Sequence, residues 1–191
     1  PGVANATLQL LAGGVPVQSV TTAADGGYRF AGLSADAYTV QLSPPAGFVA
    51  GAIRTQNVTL DSGSTAASTA AGISFGLLQE ASIGGMIYQD GNGNGLPDSG
   101  EPGITGATVT LTGAACREAS GQCATPQVTD ASGRYLFTSL PPGVYAVAVT
   151  APAAWAPNGP TSQGVTLGSA SAASASFGFQ ARGSVGGVVF Q

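Results

Sequence analysis

The chain has 191 residues with 30 glycines and 12 prolines, only 7% of its residues are charged, and its net charge is −4. Histidine and lysine are absent, which excludes most general acid–base, Schiff-base and zinc chemistry, so an enzyme is the class that we expect least. Five scattered arginines form no basic track for nucleic acid, and no apolar run is long enough to span a membrane.

The elements predicted from the N-terminus onward occur twice, because the chain contains an internal repeat of about 100 residues. PGVANATLQLL at 1–11 matches PGITGATVTLT at 102–112, and DGGYRFAGLSADAYTVQLSPP at 25–45 matches SGRYLFTSLPPGVYAVAVTAP at 132–152. The second copy carries a short insertion near its two cysteines. Within each copy, hydrophobic and small polar residues alternate, which indicates short strands with one apolar face.

This pattern predicts an all-β fold of tandem Ig-like β-sandwich modules arranged as a rod, with about seven short strands in each module. We assign the first module to residues 1–81 and the second module to residues 82–180. Residues 181–191 form a separate element, since SVGGVVFQ there repeats SIGGMIYQ, the predicted opening strand of the second module.

The repeat alignment also gives expectations about the two ends of the chain. The first module starts after the point that corresponds to Glu101, so it lacks an opening strand and the loop that follows it, and Pro1 indicates a processed or trimmed end. Two interpretations of 181–191 stay open. The segment opens a following repeat in a longer array, or it is donated to the first module of a neighbouring molecule to build a fibre, because an exposed apolar strand needs a cover.

Three of the nine acidic residues lie within twelve positions, at 90–101. The stretch DGNGNGLPDSGE matches D-x-[DN]-x-[DN]-G-x5-E, the loop in which alternate residues turn oxygen atoms toward one calcium ion. Glycines between the ligands permit the sharp turns that this convergence requires. The predicted ligands of Ca²⁺ are the side chains of Asp90, Asn92, Asn94, Asp98 and Glu101 and the backbone carbonyl of Leu96.

A surface turn that binds no ion is the alternative interpretation of this loop, because Asn, Asp and Gly favour turns for their own reasons. The segments on either side alternate as strands, so the loop joins two strands where an EF-hand loop joins two helices. We therefore expect a structural clamp, in contrast to a sensor that opens when calcium binds.

Cys116 and Cys123 are the two cysteines of the chain, and both lie in the insertion of the second copy. In a weakly charged β protein of secreted character they indicate a structural disulfide. A redox pair, half of a metal site and an intermolecular link are the alternatives.

The second copy, which contains GGMIYQDGNGNGLPDSGEPGITGATVTLT and then SGRYLFTSLPPGVYAVAV, resembles the B repeats of bacterial serine-aspartate-repeat surface proteins. The resemblance covers residues 83–180 and, without the loop, residues 1–80. It implies a prealbumin-like sandwich related to collagen-adhesin B domains, with calcium bound by the six loop residues named above. In that family the modules form extracellular stalks, stiffened by calcium, that hold a binding domain away from the cell wall.

The function expected from the sequence is thus a calcium-stiffened extracellular stalk or spacer of a bacterial surface or matrix protein. Its expected partners are neighbouring repeats or copies of itself, with host or matrix ligands reached through other domains. A subunit of a self-assembling fibre and a ligand-binding adhesin module are the two alternatives.

Overall fold

The computed structural model describes residues 1–61, 72–116, 123 and 125–190. Regular structure in these residues is β-strand throughout, apart from one 3₁₀ turn at Ala114–Cys116, so the prediction of an all-β fold is confirmed. Among the same residues, no helix has the length and the apolar character needed to cross a membrane.

The chain divides into two compact units, Pro1–Glu80 (unit 1) and Ala81–Gln191 (unit 2). Each unit contains its own cluster of buried hydrophobic residues. Because a domain is built around one such core, each unit is described here as a module in its own right.

The described part of unit 1 contains the strands β1 (Thr7–Ala12), β2 (Val15–Thr21), β3 (Ala37–Ser43), β4 (Phe48–Ala50), β5 (Thr55–Thr59) and β6 (Leu77–Gln79). Four of them form an antiparallel sheet in the order β2-β1-β3-β5, and β4 pairs with β6. Alternate residues of β1 and β3, among them Leu8, Leu10 and Val40, are buried in the core. This is the inward and outward alternation expected of a half-buried strand.

The described part of unit 2 contains the strands β7 (Ala81–Gln89), β8 (Thr108–Gly113), β9 (Gln127–Val128), β10 (Arg134–Leu140), β11 (Gly143–Thr150), β12 (Trp155–Pro157), β13 (Ser162–Leu167), β14 (Ala172–Ser174) and β15 (Phe177–Ala181). One sheet has the order β13-β11-β8-β9, and the other has the order β10-β7-β15-β12. β14 and β15 run parallel to successive parts of β7. The sequence predicted about seven strands, and the described part of unit 2 contains nine, of which β9, β12 and β14 have only two or three residues.

The two units share one buried hydrogen-bond arrangement. In unit 1, the buried hydroxyl of Thr22 accepts a hydrogen bond from the Ala6 N–H at 2.9 Å and donates to the Val3 carbonyl at 2.7 Å. In unit 2, Thr129 makes the same two bonds, at the same lengths, with the residues that align with Ala6 and Val3. A buried hydroxyl is costly without hydrogen-bond partners. Because the same pair of bonds satisfies the threonine hydroxyl in both units, we attribute it to the shared fold.

One predicted strand of unit 1 is not found. Residues 26–33 of unit 1 align with β10 but form no strand, because β10 pairs with β7 and the described residues of unit 1 contain no strand in the place of β7. Residues 182–190 are exposed and lie in no strand. Gln191 lies outside the described residues, and the hypothesis that this segment pairs with another module stays a prediction.

Candidate metal centre

The acidic loop at 90–101 follows β7 and leads toward β8 in the opposite sheet. Its base is held closed by backbone pairing. The Gln89 N–H donates to the Pro102 carbonyl at 2.9 Å, and the Ile104 N–H donates to the Ile87 carbonyl at 2.7 Å. The two ends of the loop are therefore fixed by the core, while the residues between them form the site.

Asp90, the first residue of the loop, is fully buried at 0% exposure. Its Oδ1 accepts a hydrogen bond from the Gly93 N–H at 2.8 Å, and its Oδ2 accepts from the Gly95 N–H at 2.9 Å and from the Asn158 side-chain amide at 2.6 Å. Burial alone raises the pKa of this carboxyl, but the hydrogen bonds from Asn158, Gly95, Gly93 and Asn94 outweigh burial and lower the pKa below its ordinary value. The structure thus holds a carboxylate anion at the floor of the loop.

Asn92, Asn94 and Asp98 form a second group of contacts within the loop. The amide groups of Asn92 and Asn94 both donate to Oδ2 of Asp98, each at 2.7 Å. Their Oδ1 atoms accept from the backbone two residues ahead, Asn92 from the Asn94 N–H at 3.0 Å and Asn94 from the Leu96 N–H at 2.7 Å. Three of the predicted ligands are consequently in mutual contact.

Glu101 closes the loop with both carboxylate oxygens. Oε1 accepts from the Gly91 N–H at 2.9 Å, and Oε2 accepts from the Asp98 N–H at 3.0 Å. The Glu101 side chain therefore reaches both the beginning and the later part of the loop, as the final ligand of a twelve-residue calcium loop must. Leu96 keeps its side chain in solvent at 62% exposure, so it offers the site only backbone atoms.

The donor set fits calcium, because carboxylate, amide and carbonyl oxygens are the ligands that this hard cation takes, and no soft or nitrogen ligand is among them. The carboxylates themselves are turned toward N–H groups of the loop. Within the part of the chain that the structure describes, no three His, Cys, Asp or Glu side chains stand close enough together to hold a metal ion. The structure thus brings the amides to Asp98 but does not gather Asp90, Asp98 and Glu101 into one cluster.

Tyr88 adds an observation that sequence patterns did not reveal. Its side chain is completely buried, and its hydroxyl has no hydrogen-bond partner in the structure. Burial raises the pKa of this hydroxyl, and the carboxylates of Asp90, Glu101 and Asp98 raise it further. A buried polar group without a partner is uncommon, and here it lies in the field of the three loop carboxylates.

Asn158 and Gly178 lie against Asp90 and were not identified by the loop motif. A Cβ atom at Gly178 would lie 2.9 Å from the Cβ of Asp90 and 3.2 Å from the Tyr88 hydroxyl, so β15 can pass the site only as glycine. The repeat alignment contains the missing signal for Asn158, because its counterpart in the copy without a loop is Gly51. The backbone bond is the same in both units, from Asn158 to the Gly178 carbonyl at 3.2 Å and from Gly51 to its counterpart at 2.9 Å.

The predicted disulfide is present in unit 2. The sulfur atoms of Cys116 and Cys123 are bonded, with the Cα atoms 5.4 Å apart, and both residues pack against the core of that unit. Residues 117–122, which lie between them, are outside the described ranges. The bond leaves neither cysteine for a metal or for redox exchange as a free thiol.

A family model for the SdrD B-like domain matches residues 1–76 and 81–181. The chain belongs to the SdrD B-like domain family. The resemblance to B repeats expected from the loop and from the tyrosine-containing strands is therefore confirmed.

Curated relatives contain this family within much longer chains. The bone sialoprotein-binding protein of Staphylococcus aureus is 33% identical over 153 residues, which is 73% of this chain and 13% of the relative. Serine-aspartate repeat-containing protein D of Staphylococcus aureus strain Newman is 29% identical over 161 residues, which is 74% of this chain and 11% of the relative. Among solved structures, the shaft pilin SpaA of Lactobacillus rhamnosus GG matches 96% of this chain and 87% of its own at 10% identity, with a TM-score of 0.47.

Proposed function

We propose that this chain is a pair of structural spacer modules from an extracellular bacterial surface or matrix protein, and that calcium held by residues 90–101 stiffens the second module. The buried carboxylate of Asp90 carries the proposal. Burying an anion is costly unless it is hydrogen-bonded or bound to a metal. The loop supplies hydrogen bonds to Asp90 and then adds two further carboxylates and two amides within the next eleven residues.

The assignment of roles follows from the donor chemistry. Asp90, Asp98 and Glu101 would provide the charged oxygens, while Asn92, Asn94 and the Leu96 carbonyl would complete the set. A bound calcium ion supplies two positive charges that offset the mutual repulsion of the carboxylates and crosslink the loop. Since the loop begins at the end of β7 and leads to β8, such a crosslink would restrain the connection between the two sheets.

A structural role is favoured over catalysis by the chemistry of the chain. Without histidine and lysine, Ser and Thr hydroxyls have no customary base beside them. One relative is named for binding bone sialoprotein, but this chain corresponds to only 13% of that protein. We therefore propose that ligand recognition belongs to other domains of the parent protein and that these modules present such domains away from the cell.

Calcium titration of two matched variants tests the proposal. Glu101→Gln removes a loop charge, and Glu80→Gln makes the same change outside the loop. At free calcium about 100-fold above Kd, binding to the native state should stabilise unit 2 by about 2.7 kcal/mol, which raises Tm by roughly 10 °C. We expect this increase for the unchanged chain and for Glu80→Gln, and at most a small part of it for Glu101→Gln, measured by scanning calorimetry in calcium, magnesium and EDTA.

Limited proteolysis provides an independent measurement on the same samples. We expect EDTA to increase cleavage within 90–101 and calcium to suppress it, because local opening exposes the loop backbone to the protease. Equal Tm values in calcium and EDTA for the unchanged chain, together with equal cleavage of the loop, would overturn the calcium proposal. The spacer assignment would then rest on the fold and the family alone.

A further inference from the structure

β7 is a central strand of the β10-β7-β15-β12 sheet of unit 2. It pairs with β10 on one side and with β14 and β15 on the other. Ile83, Ile87 and Tyr88 of this strand are each 0% exposed. The strand crosses beneath a bridge in which the Tyr135 hydroxyl donates to the Ala175 carbonyl. At this hydrogen bond, β7 has two adjacent glycines, Gly84 and Gly85.

Both glycines of β7 are closely approached by neighbouring strands, and at Gly85 the approach leaves no room for a side chain. A Cβ atom at Gly85 would overlap the Ala175 carbonyl and lie 2.9 Å from the Tyr135 hydroxyl, and a Cβ atom at Gly84 would lie 3.2 Å from the Tyr135 carbonyl oxygen. Any strand that fills this position therefore needs glycine at the place of Gly85, and a small residue is favoured at the place of Gly84.

The described residues of unit 1 contain both flanks of this arrangement but no strand between them. Tyr28 aligns with Tyr135, and its hydroxyl donates to the Ile73 carbonyl at 2.8 Å, which is the equivalent bridge. The rings of Tyr28 and Phe30 meet edge to face with centroids 5.9 Å apart, against 5.8 Å for the corresponding pair in unit 2. We call the space flanked by residues 28–33 and 73–77 the open slot.

Burial distinguishes the open slot from its filled counterpart. Phe137, Leu140 and Phe177 in unit 2 are buried, whereas the aligned Phe30, Leu33 and Phe75 in unit 1 are only half-buried. The bridge and the aromatic pair have formed, but the apolar surface that β7 covers in unit 2 is still in contact with water. A second strand with the same pattern would bury that surface.

The segment 184–190 has the required pattern. Val185, Val189 and Phe190 align with Ile83, Ile87 and Tyr88, but they are 104%, 101% and 89% exposed, respectively. Gly186 and Gly187 align with the glycine pair of β7, and a Cβ atom at either would touch nothing in the chain. In β7 the Ala175 carbonyl approaches Gly85 closely, but no atom approaches Gly186 or Gly187 in this way.

We propose that the open slot of unit 1 binds residues 184–190 of a second copy of this chain as an added central strand. By alignment with β7, the strand lies antiparallel to residues 27–30 and parallel to residues 73–77. Val188 stands opposite Gly27, and Gly187 stands opposite Tyr28 beneath the bridge. Such a contact joins two different surfaces, so successive copies extend into an open chain unless a rotation closes it.

A second copy is the occupant that the described residues favour. The pattern occurs at 82–89 and at 184–190, and the first of these is already engaged in unit 2. Residues 184–190 contain no charged side chain, so their burial carries no charge-desolvation cost. An exposed apolar segment with strand-like alternation readily pairs with an available sheet edge.

The first experiment compares two glycine variants of the whole chain by sedimentation equilibrium over a range of concentrations, in EDTA and again in calcium. Gly187→Val places a side chain beneath the bridge, while Gly183→Val makes the same change outside the pattern. Neither glycine has a neighbour within 4 Å of an added Cβ, so neither variant should disturb the isolated chain. We expect association of the unchanged chain and of Gly183→Val, and association at least about ten-fold weaker for Gly187→Val. A monomeric unchanged chain, or equal association of both variants, would overturn the proposal.

The second experiment uses disulfide trapping to test the register between residues 184–190 and residues 27–30. The two chains differ in length so that mixed dimers can be distinguished from dimers of a single chain. One chain carries Gly27→Cys and the other carries Val188→Cys, because directly opposed antiparallel residues lie within disulfide distance. A chain with Val185→Cys is the control, since it displaces the thiol by three residues. We expect mixed dimers from the first pair and few from the control. Dimers formed mainly between two Val188→Cys chains, or equal trapping by the control, would contradict the proposed pairing.

Discussion

Replacing one phenylalanine by alanine in each unit tests how much β7 contributes to core burial. Phe137 lies in unit 2, which contains β7, and the aligned Phe30 lies in unit 1. Phe137 has no exposed surface, and a large-to-small change at such a site costs about 3–5 kcal/mol. Its counterpart Phe30 is half-buried, so the loss should be about 1–2.5 kcal/mol, because the cost follows the apolar surface withdrawn from water. We expect Phe137→Ala to lower the free energy of unfolding of unit 2 at least twice as much as Phe30→Ala lowers that of unit 1.

Urea denaturation can follow the two units separately. Trp155 is the one tryptophan of the chain, and it packs against the core of unit 2, so its fluorescence reports that unit while far-ultraviolet circular dichroism reports both. Phe137→Ala should shift the fluorescence transition, and Phe30→Ala should leave it in place. The measurement is made at low protein concentration, so that association of chains adds nothing to stability. Equal losses for the two variants would refute the inference that unit 1 lacks a central strand.

Two further predictions concern unit 2. Replacing Cys116 and Cys123 together by serine should lower its free energy of unfolding by about 2–3 kcal/mol, since a short loop loses its covalent closure, and the fluorescence transition in urea measures this. Gly178→Ala should cost about 1–3 kcal/mol and weaken calcium binding, because the new methyl group presses on Asp90. Gly164→Ala, where a Cβ atom has no neighbour within 4 Å, is the control; equal effects of the two substitutions would contradict this account.

Most of the fold could be predicted from periodicity and repetition. The alternation in 106–112 and 143–149 indicated strands, and the structure forms β8 and β11 there. The repeat alignment paired Tyr28 with Tyr135, and both make the same bridge to a carbonyl. Such features are local or are duplicated within the chain, so a single sequence is enough to reveal them.

The remainder depended on partners distant in sequence. Residues 26–33 carry the same alternating pattern as β10, yet a strand requires a neighbour, and the pattern does not show whether one is present. Asn158 donates to Asp90 across 68 positions of the chain, a separation that no loop motif spans. Tyr88 looked like an ordinary strand residue, and its lack of a hydrogen-bond partner became visible only in three dimensions.

The candidate metal centre depends on the sheet of unit 2 that contains β7 and β15. The association proposal concerns unit 1, so the calcium proposal and the association proposal are independent of each other. Asp90 is fixed because its N–H donates to the Phe179 carbonyl on β15 at 2.9 Å, and Asn158 reaches it from the segment after β12. Unit 1 has glycine at the position of Asn158, and its described residues contain no strand in the place of β7. Residues 184–190 can supply that strand's apolar side chains, but they contain no acidic side chain and so cannot supply the carboxylates of the loop. We therefore expect chelation to act on unit 2 and Gly187→Val to act on association through unit 1, and either expectation can fail without affecting the other.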